Sequence, residues 1–249
     1  MDVKRIQTAA ILIGVLALVL FMDSVFIYWT LFVALMVASI YEIQNFYKIE
    51  NITFMYSLVA GVAVFSYFFE LAHLAVLLAL IGVCSYFAFR NEFDNVIIKT
   101  LIYPILPLGF FFSFAAEHGA TDLLWLVVVV SLSDTGAYFV GKQMGKTSFS
   151  PSSPNKTMEG FAGALVIGSI AGSFCGVLLD YSWVMSFSIS LVVSFFSVFG
   201  DLFESHLKRQ AGIKDSSDLL PGHGGVLDRI DGFLFALPVF YILLEIINS

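Results

Sequence analysis

The sequence predicts an all-α, polytopic integral membrane bundle of about nine transmembrane helices with a cytoplasmic N-terminus. Of the 249 residues, 59% are hydrophobic and only 12% are charged, whereas soluble domains are about half apolar and about 25% charged. The mean hydropathy is +0.92. The apolar residues also fall in runs close to the roughly 20 residues that a helix needs to cross a bilayer.

The apolar runs place the predicted helices in order along the chain. They lie near residues 7–22, 25–42, 52–69, 71–89, 97–116, 122–140, 161–179, 183–200 and 232–247. The division between the third and fourth runs rests on Glu70 and His73 alone. A β-barrel is not expected, because Ala10–Met22 and Leu123–Val130 show none of the alternation that barrel strands require.

The first run resembles a secretory signal, since basic residues precede the apolar stretch Ile6–Met22. No small-x-small cleavage site follows before Asp23, and a signal peptide needs one. We therefore expect an uncleaved first helix.

The charges support nine spans and give an orientation. With nine spans, one side carries every basic residue of the chain: Lys4, Arg5, Lys48, Arg90, Lys99, Lys142, Lys146, Lys156, Lys208, Arg209, Lys214 and Arg229. The other side carries only acids: Asp23, Glu70, Glu117, Asp122, Asp180 and Glu245. The positive-inside rule places the basic side in the cytoplasm.

Two polar segments divide the chain by function. We expect N-terminal membrane helices over residues 1–120 and catalytic membrane helices over 121–249, with cytoplasmic loops at 134–160 and 200–231. Ten charged residues occur within the 31 positions 201–231. Asp134 and Asp201 follow apolar runs at the membrane edge, where ionisable groups are costly and usually functional.

The acid spacing suggests a metal site. Asp228 and Asp231 are three residues apart at the start of the last span, so a helix puts them on one face. Asp201 and Glu204 have the same spacing at the end of the eighth span. Mg²⁺ favours such oxygen ligands together with substrate phosphates. Salt bridges on a solvated helix end remain the alternative.

Basic and glycine-rich residues lie among these acids. Cations can neutralise phosphate oxygens while the carboxylates hold a metal, and the basic residues here are Lys208, Arg209, Lys214, His223 and Arg229. The glycine loop Pro221–Gly225 precedes a helix, and its backbone N–H groups could cradle phosphate. A plain turn is the other interpretation of this loop and of His223.

Other chemistries lack their motifs. Ser205 and His206 are adjacent and point apart on a helix, and the chain has no G-x-S-x-G elbow. It has no G-x-x-x-x-G-K-[ST] loop and no Cys/His zinc spacing. Nothing indicates nucleic-acid binding.

Residues 205–231 carry a resemblance to a known family. They read SHLKRQAGIKDSSDLLPGHGGVLDRID, which closely resembles the diagnostic pattern of phosphatidate cytidylyltransferases (CDP-diacylglycerol synthases). The segments GDLFES at 200–205, SDTGAYFVGK at 133–142 and PNKTMEG at 154–160 are also similar to the family. The resemblance is strong over the C-terminal half, although Asn155 and Met158 depart from common family residues.

The resemblance implies residue roles. Asp201, Asp228 and Asp231 would hold Mg²⁺, with a second cation, divalent or K⁺, left open. The implied catalytic residues are Asp201, Lys208, Arg209, Lys214, Asp215, His223, Asp228, Arg229 and Asp231. The implied substrate-binding residues are Ser133, Asp134, Lys142, Lys156, Thr157, Glu159, Ser205, Gly224 and Gly225.

The resemblance also implies the reaction. The enzyme would transfer the cytidylyl group of CTP to phosphatidate, releasing pyrophosphate, as a multi-pass protein of the cell inner (plasma) membrane with its active site facing the cytoplasm. Its partners would be CTP, phosphatidate and membrane lipids, and a homodimer stays open. An enzyme using CTP on an isoprenoid lipid phosphate or alcohol is the nearest alternative. A cation-coupled transporter is a further one, although inverted repeats are not evident.

Overall fold

The computed structural model describes residues 3–47, 49, 52–91 and 93–248 and confirms an all-α polytopic membrane protein. Lys48, which the sequence predicts in a cytoplasmic loop, lies outside the described residues, as do the side chains of Lys4 and Arg5. The helices are α1 (Val3–Met22), α2 (Val25–Tyr47), α3 (Ile52–Phe69), α4 (Ala72–Arg90), α5 (Asn95–Thr100), α6 (Leu106–Met144), α7 (Met158–Leu178), α8 (Trp183–Gln210) and α9 (Leu227–Asn248), with a π-helical turn at Leu101–Ile105 between α5 and α6.

The number of spanning helices differs from the predicted nine. Among the described residues, seven helical segments are long and apolar enough to cross a membrane. The apolar part of α1, Ile6–Met22, falls in a shorter class. The predicted fifth and sixth spans lie in one helical stretch, Asn95–Met144, which is interrupted at Gly119 (φ 74°, ψ −167°). The drop in hydropathy around Gly119 shows where polar residues lie in the sequence. It does not show whether the helical hydrogen bonds are interrupted there.

The chain divides into two compact units. The first comprises Met1–Ala120 with Asp215–Arg229, and the second comprises Thr121–Lys214 with Ile230–Ser249. In the first unit, Phe32 of α2 stacks on Phe112 of α6 with ring centroids 5.5 Å apart. Asp23 accepts a hydrogen bond from the backbone N–H of Ala120 at 2.9 Å, which fixes the α1–α2 turn to the helix break at Gly119.

In the second unit, α7 and α8 pack closely through glycine and serine. A Cβ atom on Gly172 would lie 2.2 Å from Ser190 Oγ, and one on Gly176 would lie 2.4 Å from Ser186 Oγ. The hydroxyls are satisfied within the bundle: Trp125 Nε1 donates to Ser190 Oγ at 3.1 Å. Small residues allow close backbone approach, which is how helices associate tightly in lipid.

The two segments expected to be loops are partly helical. Residues 134–144 continue α6, and residues 200–210 continue α8. Between α6 and α7 lies a short antiparallel hairpin of β1 (Ser148–Ser150) and β2 (Ser153–Thr157). The side chain of Thr157 then caps α7 by accepting the Gly160 N–H at 3.1 Å, which is the usual role of a threonine at this position.

Candidate functional site

An acidic cluster forms where three helices of the second unit meet. The half-buried carboxylate of Asp231, on α9, interacts electrostatically with Asp201 and Glu204 of α8 and with Asp134 of α6. Like charges that interact in this way repel, and nearby cations or protons reduce that repulsion. The sequence predicts Asp134, Asp201 and Asp231 in the site, and the structure places Asp134 and Asp201 within electrostatic range of Asp231.

Two glycines explain why α8 and α9 approach so closely at this cluster. A Cβ atom on Gly200 would lie 2.5 Å from the backbone oxygen of Asp231, and one on Gly232 would lie 2.7 Å from Ser197 Oγ. Each glycine is the chain neighbour of a cluster acid. The backbone contact therefore sets the separation of Asp201 and Asp231.

Two lysines partly neutralise the negative charge of the acidic cluster. Lys156 Nζ, from β2, lies 2.6 Å from Asp201 Oδ2, and both side chains remain partly exposed. Lys208 Nζ lies 2.6 Å from Glu204 Oε2, one helical turn earlier, and the Glu204 side chain is fully buried. Removing either partner of a buried pair such as Lys208–Glu204 leaves the other charge buried without its counter-ion, which is strongly destabilising. Alternating acids and bases of this kind suit a site that handles both a cation and phosphate groups.

The hairpin end is organised by Glu159. Its Oε2 accepts the backbone N–H groups of Lys146 at 3.1 Å and Thr147 at 3.3 Å. Thr157, as described, caps α7. Both side chains thus organise the protein's own chain at the start of α7, and their predicted substrate contacts remain predictions.

In the first unit, the loop before α9 is folded around the carboxylate of Asp228. Asp228 Oδ2 accepts the backbone N–H of Ser216 at 3.0 Å and the backbone N–H of Gly225 at 2.8 Å, and it lies 3.1 Å from the Ser216 hydroxyl. Gly224 has φ +81°, and a Cβ atom there would lie 2.5 Å from Asp228 Oδ2. The two predicted phosphate-binding glycines thus serve first to let the loop close on Asp228.

The same loop is held by a residue that the sequence analysis did not single out. Glu42, on α2, is fully buried. It accepts hydrogen bonds from the hydroxyls of Ser216 at 3.0 Å and Ser217 at 2.7 Å and from the backbone N–H groups of Val226 at 2.6 Å and Leu227 at 2.8 Å. The signal in the sequence is a carboxylate at the end of the apolar run 25–42, because an ionisable side chain at membrane depth is costly and usually functional.

The tip of this loop is a tight turn. Leu220 donates its N–H to the Gly224 oxygen at 2.9 Å, and His223 donates its N–H to the Leu220 oxygen at 2.8 Å. Arg229 Nε donates to the His223 oxygen at 3.0 Å. His223 Nδ1 is buried and has no hydrogen-bond partner among the residues that the structure describes. The turn interpretation of His223 therefore accounts for its backbone, while its ring remains open to a phosphate.

The remaining predicted residues are distributed as follows. Ser133 is fully buried and donates to Ser194 Oγ at 2.8 Å, so its contacts are between helices. Lys142 lies 5.4 Å from the ring centroid of Tyr138. Ser205 donates to Asp201 Oδ1 at 3.5 Å, and Arg209 Nη1 donates to the Ile213 oxygen at 3.0 Å. Lys214 and Asp215 are exposed.

By residue type, the donor set suits a hard divalent cation. Carboxylate oxygens are the ligands that Mg²⁺ and similar ions prefer, and the cluster around Asp231 supplies them from three helices. Asp228 also belongs to α9. Its Oδ2 is held by hydrogen bonds from the loop.

Comparison with known proteins gives one consistent result. A family model described as "Cytidylyltransferase family" matches residues 3–247. The chain is 36% identical over 244 residues to the phosphatidate cytidylyltransferase of Helicobacter pylori strain J99, which covers 97% of this chain and 91% of the relative. It is 44% identical over 135 residues to the phosphatidate cytidylyltransferase of Bacillus subtilis strain 168, about half of each chain. The resemblance carried by residues 205–231 is thereby confirmed.

Proposed function

Because this chain belongs to the cytidylyltransferase family, we propose that it transfers the cytidylyl group of CTP to phosphatidate, giving CDP-diacylglycerol and pyrophosphate. The chain is a multi-pass membrane nucleotidyltransferase. The observation that carries the proposal, beside the family match, is the meeting of Asp134, Asp201 and Asp231 from three helices. Lys156 and Lys208 accompany these acids, so one region of the second unit carries both carboxylates and lysines, the residue types that a metal and phosphate groups require.

The reaction depends on the positioning of the two substrates more than on a strong general base. A phosphate monoester has a second pKa of about 6, so the phosphatidate oxygen is already an anion near pH 7. Bringing this anion to the α-phosphorus of CTP, and stabilising the leaving pyrophosphate, requires positive charge in fixed places. The basic side chains proposed for this are Lys142, Lys156, Lys208, Arg209, Lys214 and Arg229.

The proposal includes a bound metal ion. Asp201, Asp228 and Asp231 would hold Mg²⁺, which when bound neutralises phosphate charge and orients the leaving group. A second cation near Asp231 is part of the same proposal. We further propose that catalysis resides in residues 121–249 and that a homodimer forms.

The function is tested by measuring pyrophosphate release from CTP by the full chain in mixed detergent micelles. We expect release that requires both phosphatidate and Mg²⁺, that stops on chelation, and that falls on the order of 100-fold or more in Asp228→Asn. The mutant must elute as wild type does in size-exclusion chromatography. Wild-type protein that folds and releases no pyrophosphate would contradict the proposed function.

The proposed orientation puts the N-terminus and the acidic cluster on the cytoplasmic side, where CTP is found. In a background with Cys84 and Cys175 replaced by alanine, a membrane-impermeant maleimide should label Asp180→Cys in intact spheroplasts. It should label Gln210→Cys only after permeabilisation. Asp180 links α7 to α8 and Gln210 ends α8, so the two positions lie at opposite ends of one helix. The reverse labelling pattern would overturn this orientation.

A further inference from the structure

Glu42 accepts an unusually large number of hydrogen bonds for a carboxylate in an apolar helix. Its side chain is fully buried, and its two oxygens accept four hydrogen bonds from one loop. A buried carboxylate without partners would be very costly, whereas one that accepts several hydrogen bonds is held firmly in place. All of these partners belong to the first unit, so the arrangement is internal to it.

The four donors come from both ends of the loop. Ser216 and Ser217 open it, and Val226 and Leu227 close it at the start of α9. Glu42 therefore joins the two ends at one point on α2 and forms the base of a compact loop of the Ω type. The last two donors are among the first N–H groups of a helix, which have no partner within the helix and favour an anion.

The packing at the base leaves no room for adjustment. A Cβ atom on Gly225 would lie 1.8 Å from Ser216 Oγ and 2.5 Å from Glu42 Oε1. Ser216 is itself shared, because its hydroxyl lies within hydrogen-bonding distance of Asp228 Oδ2 as well as Glu42 Oε2. Glu42 is thus linked through one hydroxyl to an acid proposed to hold the metal.

We propose that Glu42 is a positioning residue for the transfer reaction: its carboxylate closes the base of loop 216–227 and keeps that loop in the conformation that binds CTP. The proposal rests on the proposed function. Glu42 does not act on substrate itself. It acts through the loop that carries His223 and Gly224 and that leads into Asp228 and Arg229 at the start of α9.

The loss of Glu42 has a distinctive kinetic consequence. In Glu42→Gln, one oxygen becomes an NH₂ group, which meets groups that are themselves donors. The loop then spends only a fraction of its time in the binding conformation, and the apparent affinity falls by that fraction. Saturating CTP selects the ordered loop again. The KM for CTP should therefore rise about tenfold while kcat stays within about twofold. A general loss of folded enzyme would instead lower kcat and leave KM unchanged.

The experiment uses the full chain in phosphatidate micelles and two readouts. Amide hydrogen exchange of peptides covering residues 214–228 reports on the loop without any need for activity, and steady-state kinetics separate KM from kcat. The variants are Glu42→Gln, the milder Ser217→Ala, which removes one donor, and the control Glu70→Gln, an exposed acid of the same unit. We expect faster exchange in the loop but not in α7 for the first two variants. The KM for CTP should rise in both, by about two- to threefold in Ser217→Ala, and Glu70→Gln should match wild type.

The outcomes separate this proposal from the function on which it rests. If wild type does not convert CTP, the proposed function fails, while hydrogen exchange still decides whether Glu42 holds the loop. If wild type is active and the loop exchanges no faster in the variants, or kcat falls with KM unchanged, the positioning role is overturned. Should Glu42→Gln not fold, Ser217→Ala decides alone, and unchanged exchange and KM there would overturn the role.

Discussion

Replacing Asp231 by asparagine should abolish most of the activity while leaving the fold intact. Asp231 is the acid that interacts with all of Asp134, Asp201 and Glu204. Asparagine has nearly the same shape but cannot supply the charge that holds a divalent cation. We expect CDP-diacylglycerol formation to fall on the order of 1,000-fold at saturating Mg²⁺. The measurement is the initial rate of lipid product formation over a range of Mg²⁺ concentrations.

The fold should tolerate this change, because it removes one of several mutually repelling charges. We therefore expect the melting temperature of Asp231→Asn in detergent to be equal to or above that of wild type. Asp180→Asn is the matched control: Asp180 is exposed with φ 67°, a conformation that asparagine accepts readily. An active Asp231→Asn protein, or equal losses in both variants, would show that the cluster is not the catalytic centre.

Replacing Gly200 by alanine should have an effect nearly as large, through geometry alone. The added methyl group would lie 2.5 Å from the backbone oxygen of Asp231 and 3.1 Å from Phe235 Cβ. Backbone cannot yield as a flexible side chain does, so α8 and α9 must separate. A shift of about 1 Å in catalytic groups can cost on the order of 100-fold in rate. We expect kcat to fall by about that factor, measured with both substrates saturating.

Gly61→Ala provides the control for this substitution. Gly61 lies in α3, and an added Cβ atom there would have no atom within 4 Å. Alanine also favours helix over glycine by about 1 kcal/mol. Its activity and melting temperature should therefore equal or exceed those of wild type. Wild-type kcat in Gly200→Ala would mean that the close contact of α8 and α9 does not set the geometry of the acids.

The fold class could be read from the sequence because bilayer physics is simple. Apolar runs of spanning length have few alternatives to helix in lipid, and α2, α3, α4, α7, α8 and α9 all follow predicted runs. The helix break at Gly119 and the hairpin Ser148–Thr157 depend on hydrogen bonding and turn geometry. Hydropathy reports on neither of these features. The structure was therefore needed to correct the number of spans and the interpretation of residues 134–160 as a loop throughout.

The site was predictable to the extent that charge in an apolar chain is conspicuous. Asp134, Asp201 and Asp231 stand out at the ends of apolar runs, and Asp231 interacts electrostatically with the other two; their roles stay predictions. Glu42 did not stand out, because its importance lies in four donors that are more than 170 positions away in the chain. Likewise, only coordinates distinguish Gly200, which permits a backbone contact, from Gly61, which faces open space.

The central claim is most directly tested by following two phosphorus labels of CTP into lipid. The full chain is incubated with phosphatidate, Mg²⁺ and CTP labelled at either the α- or the γ-phosphorus, and the lipid phase is extracted. Cytidylyl transfer to phosphatidate predicts that the α-label enters lipid as CDP-diacylglycerol and that the γ-label stays in water as pyrophosphate. Transfer of the γ-label to a lipid alcohol, or transfer of the α-label only when an isoprenoid phosphate replaces phosphatidate, would contradict the account.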